Sequence, residues 1–168
     1  MSHTVQFAGN DIELLGNEIK VGVKAPEFTG LGVDMKPIHF QGGDGNIYIL
    51  SIFPSIDTPV CSMQAGRFNS AASKLDEKVH ILAISCDLPF ALGRYCGANG
   101  IDRLTMVSDH RELSFGTNYG FVLNGLRLLA RGVVVVDGKG TVRYVEYVPE
   151  VTQEPDYDAA LATVKSLL

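Results

Sequence analysis

The segment from Asn46 to Cys61, Asn-Ile-Tyr-Ile-Leu-Ser-Ile-Phe-Pro-Ser-Ile-Asp-Thr-Pro-Val-Cys, constrains the fold more than any other part of the chain. Its apolar run up to Phe53 has no polar alternation, which predicts a strand buried on both faces. Pro54 and Pro59, with Asp57 between them, then impose a turn. Beyond Cys61 the apolar residues Met63, Phe68, Ala72 and Leu75 recur at helical spacing, predicting a helix that runs to about Glu77–Lys78. A cysteine is thereby placed in the first turn of a helix, just past the end of a buried strand. Orphan amide groups and the helix dipole favour an anion there, so the thiolate is stabilised over the thiol. A lone cysteine also packs well as a small buried hydrophobe, and position alone leaves both readings open.

Several classes of function are disfavoured by composition. The chain has 168 residues and a net charge of −5, with no run of like charges. That length suits one domain spanning 1–168. Neither a phosphate-backbone footprint nor a polybasic membrane patch is present. No apolar stretch is long enough for a membrane span, and the N-terminus lacks the basic and apolar regions of a secretory signal. Three cysteines, an odd number in a chain that needs no staples, point to a reducing compartment and thiols kept for chemistry. A cytoplasmic protein without nucleic-acid or membrane partners is the expectation.

The order of elements predicts an α/β fold. Two short apolar runs around Gly9-Asn10-Asp11 predict an N-terminal hairpin. Val21–Glu27 reads as an extended linker, and the pieces 28–33 and 35–40 as an edge strand and its neighbour. Gly30-Leu-Gly32 lacks the third glycine and following helix of a dinucleotide site. Val79–Ser85 is a second buried strand, which with the preceding strand and helix makes a right-handed βαβ unit. Asp87-Leu-Pro89 is read as capping and opening another helix, which carries Cys96 and stops at Asn99-Gly100. Strand 104–108, a short helix over 111–118, an apolar segment over 121–129, and two strands joined by Asp137-Gly-Lys-Gly140 follow. A helix from Tyr157 closes the chain, with Asp156 near its N-cap. Parallel strands first and an antiparallel hairpin later predict a thioredoxin-like three-layer α/β/α sandwich with a mixed sheet and an added N-terminal β-hairpin.

Around Cys61, the pattern Pro54-x-x-x-Thr58-x-x-Cys61 puts the Thr58 hydroxyl within reach of the sulfur, one helical turn away. Pro54 fixes the turn and shields one side from water. A thiolate also needs a fixed positive charge, and Arg131, opening the Val-rich strand, is the candidate. From spacing alone, a charge that snorkels from a strand end is the commoner reading of Arg131. Asp57 is expected to cap the helix through its side chain. Cys86 and Cys96 are both candidate partners, since Cys86 ends a strand at the same sheet edge as the strand before Cys61. Phe53, Ile56, Phe90, Leu126 and Leu128 predict an apolar pocket suited to alkyl substrates. His3, His39, His80 and His110 show no metal-ligand spacing, so neither a metal nor another cofactor is expected.

Phe53-Pro-Ser-Ile-Asp-Thr-Pro-Val-Cys61 resembles the peroxidatic-cysteine motif of the peroxiredoxins, in their thiol peroxidase branch. Ser85-Cys-Asp-Leu-Pro-Phe-Ala-Leu-Gly-Arg-Tyr-Cys96 resembles the segment that carries that branch's resolving cysteine. The N-terminal hairpin, Ala130–Asp137 and Glu154–Tyr157 also resemble the branch; Cys86 departs from it. The resemblance implies a hydroperoxide reductase in which Cys61 becomes a sulfenic acid and forms an intrasubunit disulfide with Cys96. It further implies Thr58 and Arg131 as catalytic residues, Pro54 at the substrate, thioredoxin as reductant, and a homodimer. A redox sensor that only forms the disulfide is the competing reading. A thiol–disulfide oxidoreductase is disfavoured by the absence of Cys-x-x-Cys.

Overall fold

The computed structural model describes residues 3–168. A hairpin of β1 (His3–Phe7) and β2 (Asn10–Leu15) opens the chain. After it come β3 (Phe28–Leu31), β4 (Pro37–Phe40) and β5 (Ile47–Ile52). The crossover α1 (Pro59–Ala72) leads to β6 (Val79–Ser85), then α2 (Pro89–Asn99), β7 (Thr105–Ser108) and α3 (Ser114–Tyr119). Two short strands, β8 (Val122–Leu123) and β9 (Leu128–Leu129), precede the hairpin β10 (Gly132–Val136) and β11 (Val142–Tyr147), and α4 (Tyr157–Ser166) closes the fold.

A seven-stranded sheet in the order β11-β10-β5-β6-β7-β3-β4 forms the centre. It is mixed: β5–β6 and β6–β7 run parallel, and the flanking pairs run antiparallel. Strand alternation sends Ile47, Ile49, Ile81, Val133 and Val135 to one face, where Phe68 of α1 and Tyr157, Ala160 and Val164 of α4 cover them. Further along the same face, Ala83 and Met106 pack with Phe53, Ile56, Cys61, Ala65 and Leu92, so α2 completes that layer. Leu50, Ile52, Leu82, Ile84, Val134 and Val136 point the other way. There they meet Phe115 and Tyr119 of α3 together with Val5, Leu14, Val122, Leu123 and Leu129.

The last five residues belong to a second sheet of order β1-β2-β8-β9, in which the expected N-terminal hairpin pairs with the segment left unassigned over 121–129. The outer layer on that side is thus partly sheet, not helix alone. Two further details differ from the sequence reading. Helix α1 ends at Ala72, with Lys74 N and Leu75 N bonding back to Ala71 and Ala72 in a terminal turn. Its buried face is Cys61, Gln64, Ala65 and Phe68, while Met63 is exposed. The predicted stop of α2 holds, with Gly100 in the left-handed conformation at φ 63°. Among the described residues, no helix is long and apolar enough to cross a membrane.

Candidate active site

Where β5 ends, the chain must leave the sheet and re-enter as α1 without exposing its backbone, and a carboxylate from the neighbouring strand manages this. Asp87, two residues past β6, accepts hydrogen bonds from Ser55 Oγ at 2.8 Å, Ile56 N at 2.7 Å and Ser85 Oγ at 2.6 Å. The turn Pro54–Asp57 is thereby tied to the end of β6, with Pro54 and Ile56 buried. Asp87 therefore serves this turn and does not cap α2, whose N-cap is Leu88. Helix α1 is capped at Thr58, an extended residue, and Pro59 supplies the first helical position. Asp57 does not cap it; its exposed carboxylate lies 3.4 Å from Arg94 Nη2 on α2.

Cys61 follows in the first turn, fully buried, where backbone amides have no intrahelical acceptor. Its sulfur accepts a hydrogen bond from Arg131 Nη2 at 3.2 Å. The remaining guanidinium donors are also used: Nε reaches Val151 O at 2.7 Å and Nη1 reaches Gln64 Oε1 at 2.9 Å. Arg131 is 2 % exposed, and these recorded acceptors are a carbonyl, a neutral amide and a sulfur. A guanidinium so deeply buried needs a compensating charge, and among these acceptors only the Cys61 sulfur can become an anion. The burial of Arg131 rules out a snorkelling surface charge.

Support for this arginine reaches across the molecule. Gln64, one turn beyond Cys61, donates through Nε2 to Ser51 Oγ at 2.8 Å and Ile52 O at 3.1 Å, which turns its Oε1 toward Arg131. The Val151 carbonyl is held because Val151 N donates to Gln6 O at 2.8 Å and Gln6 N donates to Pro149 O at 2.7 Å. The Glu150 carboxylate accepts from Ala8 N and Gly9 N in the β1–β2 turn, so the added hairpin anchors the loop that positions the guanidinium. Gly132 is required beside Arg131, since a Cβ there would collide with Glu146 O and the Phe121 ring.

Thr58 is half-buried at the N-cap of α1, and its hydroxyl donates to Ser55 O at 3.0 Å rather than to sulfur. Its oxygen lone pairs are left to accept a hydrogen bond from an incoming molecule. Cys96 lies on α2, packed against the same apolar cluster as Cys61, and burial pushes its thiol up. Cys86 lies in the opposite core with Ile84 and Phe115, where burial and then the Asp109 charge push its thiol up to about 12. All three cysteines are free thiols. Of the predicted pocket, Phe53 and Ile56 line the Cys61 cluster, whereas Phe90 and Leu126 are exposed and Leu128 belongs to the opposite core.

Sequence reasoning missed Gln64, Asp87 and the Gln6–Val151 strap. Gln64 carried a usable signal: it falls three residues after Cys61, polar on a face that is otherwise apolar. The contacts of Asp87 and Gln6 join residues remote in sequence, and no local pattern reports them.

A protein-family model described as Redoxin matches residues 20–161. A thiol peroxidase of Oceanobacillus iheyensis is 51% identical over 158 residues, covering 94% of this chain and 96% of the relative. One of Bacillus subtilis is 46% identical over 164 residues, covering 98% of each. Among solved structures, a peroxiredoxin-like protein from Aquifex aeolicus superposes with a TM-score of 0.93 at 36% identity, covering 99% of each chain. The agreement of these comparisons with a thiol held under a buried guanidinium places the chain in the Redoxin family, as a peroxidase of the thiol peroxidase branch of the peroxiredoxins.

Proposed function

We propose that the Cys61 thiolate reduces hydrogen peroxide and organic hydroperoxides, and that Cys96 resolves the product within the same subunit. The observation that carries this reading is the 3.2 Å contact between Arg131 Nη2 and the Cys61 sulfur, made by a buried cation with no carboxylate among its recorded hydrogen-bond acceptors. The thiolate attacks one peroxide oxygen, the O–O bond breaks, and Cys61 leaves as sulfenic acid while the alkoxide or hydroxide takes up a proton. Arg131 and the first-turn amides of α1 stabilise charge as it moves to the leaving oxygen. Thr58 Oγ1 accepts a hydrogen bond from the peroxide O–H and orients the molecule, and the buried ring of Pro54 keeps water from one side of the sulfur.

Condensation of the Cys96 thiol with the sulfenic acid forms the disulfide and releases water. Sharing of one apolar cluster by Cys61 and Cys96 favours this pairing over Cys86, which lies on the other side of the sheet. A dithiol protein, thioredoxin in this reading, returns both thiols by exchange. Assembly as a homodimer belongs to the same proposal, and sedimentation tests it.

Peroxide consumption with a dithiol donor is the direct assay. Wild type turns over, Cys61→Ser is inactive, and Cys96→Ser manages about one turnover before its sulfenic acid is stranded. Peptide mapping of the oxidised protein finds a Cys61–Cys96 link. Activity retained in Cys61→Ser, or a Cys61–Cys86 link, contradicts the reading.

A further inference from the structure

A second contact between α1 and α2 involves the immediate neighbours of the two proposed redox cysteines. Ser62, following Cys61, and Tyr95, preceding Cys96, form a closed pair of hydrogen bonds. Ser62 Oγ lies 2.9 Å from Tyr95 OH, and Tyr95 OH donates to Ser62 O at 3.1 Å. One directional arrangement satisfies both: Ser62 Oγ donates to the phenol, and the phenol donates to the carbonyl. Both side chains are half-buried, so the bonds are partly shielded from water. The ion pair of Arg94 with Asp57, in the turn before α1, joins two exposed side chains and contributes little in salt.

Disulfide formation requires Cα atoms within about 7 Å and correctly directed Cβ atoms. Cys61 sits inside a 14-residue helix under Arg131, and Cys96 inside an 11-residue helix facing the shared apolar cluster. On the two-cysteine reading, the sulfurs meet by local opening of both helices, and the Ser62–Tyr95 pair opposes that opening at the adjacent residues. Opening also exposes Cys96, relieving the burial that holds it as a thiol.

On the proposed two-cysteine reading, we infer that Tyr95 is a positioning residue whose bonds to Ser62 set how the Cys61 sulfenic acid divides between two fates. When the helices open, Cys96 condenses with it and water leaves. When they stay closed, its sulfenate attacks a second hydroperoxide, giving Cys61 sulfinate and the corresponding alcohol. A tighter clamp gives more sulfinate per turnover, and a looser one gives less.

Tyr95→Phe keeps the ring and removes both bonds; Ser62→Ala removes one. The experiment follows turnover with a dithiol donor at rising hydroperoxide, with mass analysis of Cys61. Tyr95→Phe raises the peroxide concentration that inactivates half the enzyme about tenfold, the factor expected for two net hydrogen bonds lost from the closed form. Ser62→Ala raises it by less, and adding Ser62→Ala to Tyr95→Phe changes nothing further. The rate of first Cys61 oxidation stays within about twofold, because the Arg131 contact is untouched. In a Cys96→Ser background, Tyr95→Phe leaves the sulfinate yield unchanged, which a merely destabilising substitution would not do. Normal turnover with an unchanged or lower inactivating concentration overturns the clamp alone. Absence of any oxidised Cys61 in the wild type overturns the peroxidase reading and the clamp with it.

Discussion

Cys61 and Cys86 follow two neighbouring parallel strands, β5 and β6, and leave the sheet at the same edge, yet they meet opposite charges. Cys61 lies against the buried guanidinium of Arg131. Cys86 lies near the buried carboxylate of Asp109, which it feels as a charge that opposes its ionisation. Strand parity creates the difference. Leu82, Ile84 and Cys86 alternate onto the face covered by α3 and the small sheet, whereas Ser51 and Phe53 alternate onto the face where α1 carries Cys61. Two thiols that follow neighbouring strands thus meet opposite charges, according to the face of the sheet each one joins.

The most damaging way to break the contrast is Arg131→Met. It removes the cation while keeping an apolar stem, and the second-order rate of peroxide reduction falls by about 100-fold to 1,000-fold, as for loss of a preorganised charge donor. Stopped-flow measurement of peroxide consumption checks it, with circular dichroism confirming the fold. Gln64→Glu is subtler and next in size. It gives Arg131 a carboxylate partner within reach of the 2.9 Å contact, so the guanidinium charge is offset there and not at the sulfur. The same rate then falls about tenfold, by the usual worth of one charge-assisted hydrogen bond.

Asp109 sharpens the other half of the comparison. Burial raises its pKa to about 6 from an ordinary 3.8, against the lowering by its bonds from Phe115 N and Gly116 N. Because the folded value is the higher one, the fold holds the proton longer than the unfolded chain. Its stabilising contribution is complete below about pH 4 and is lost as pH rises through 6, a change on the order of 3 kcal/mol. Asp109→Asn flattens that part of the stability-versus-pH curve, as read by urea unfolding at several pH values. The smallest effect belongs to Cys86→Ala. It leaves the rate of peroxide reduction within about twofold, since additivity holds for sites without shared partners.

Which parts of this arrangement could be read from the sequence follows from how local each cause is. The unbroken apolar runs of β5, β6 and β10 announce strands buried on both faces, and Pro89 and Gly100 mark the two ends of α2 where backbone chemistry demands them. Arg131 stood out because a charge beside Val133–Val136 needs a reason. Strands β8 and β9 did not, being two residues long each and defined by pairing with each other and with β2. The side-chain cap expected of Asp57 is absent: the N-cap position falls one residue later, at the extended Thr58, whose hydroxyl makes no cap bond. The Thr58 hydroxyl, expected at the sulfur, found the nearer carbonyl of Ser55. The strap from Gln6 through Val151 to Arg131 spans most of the chain and depends on tertiary contact alone.

The central claim is that the Arg131 charge is balanced by the Cys61 sulfur and by no other thiol. Ultraviolet thiolate absorbance of the reduced protein at neutral pH tests it directly when taken on wild type, Cys61→Ser and Cys86→Ala. The account predicts the absorbance of one thiolate in wild type, its loss in Cys61→Ser and its full retention in Cys86→Ala. A signal that survives Cys61→Ser and disappears in Cys86→Ala would contradict it.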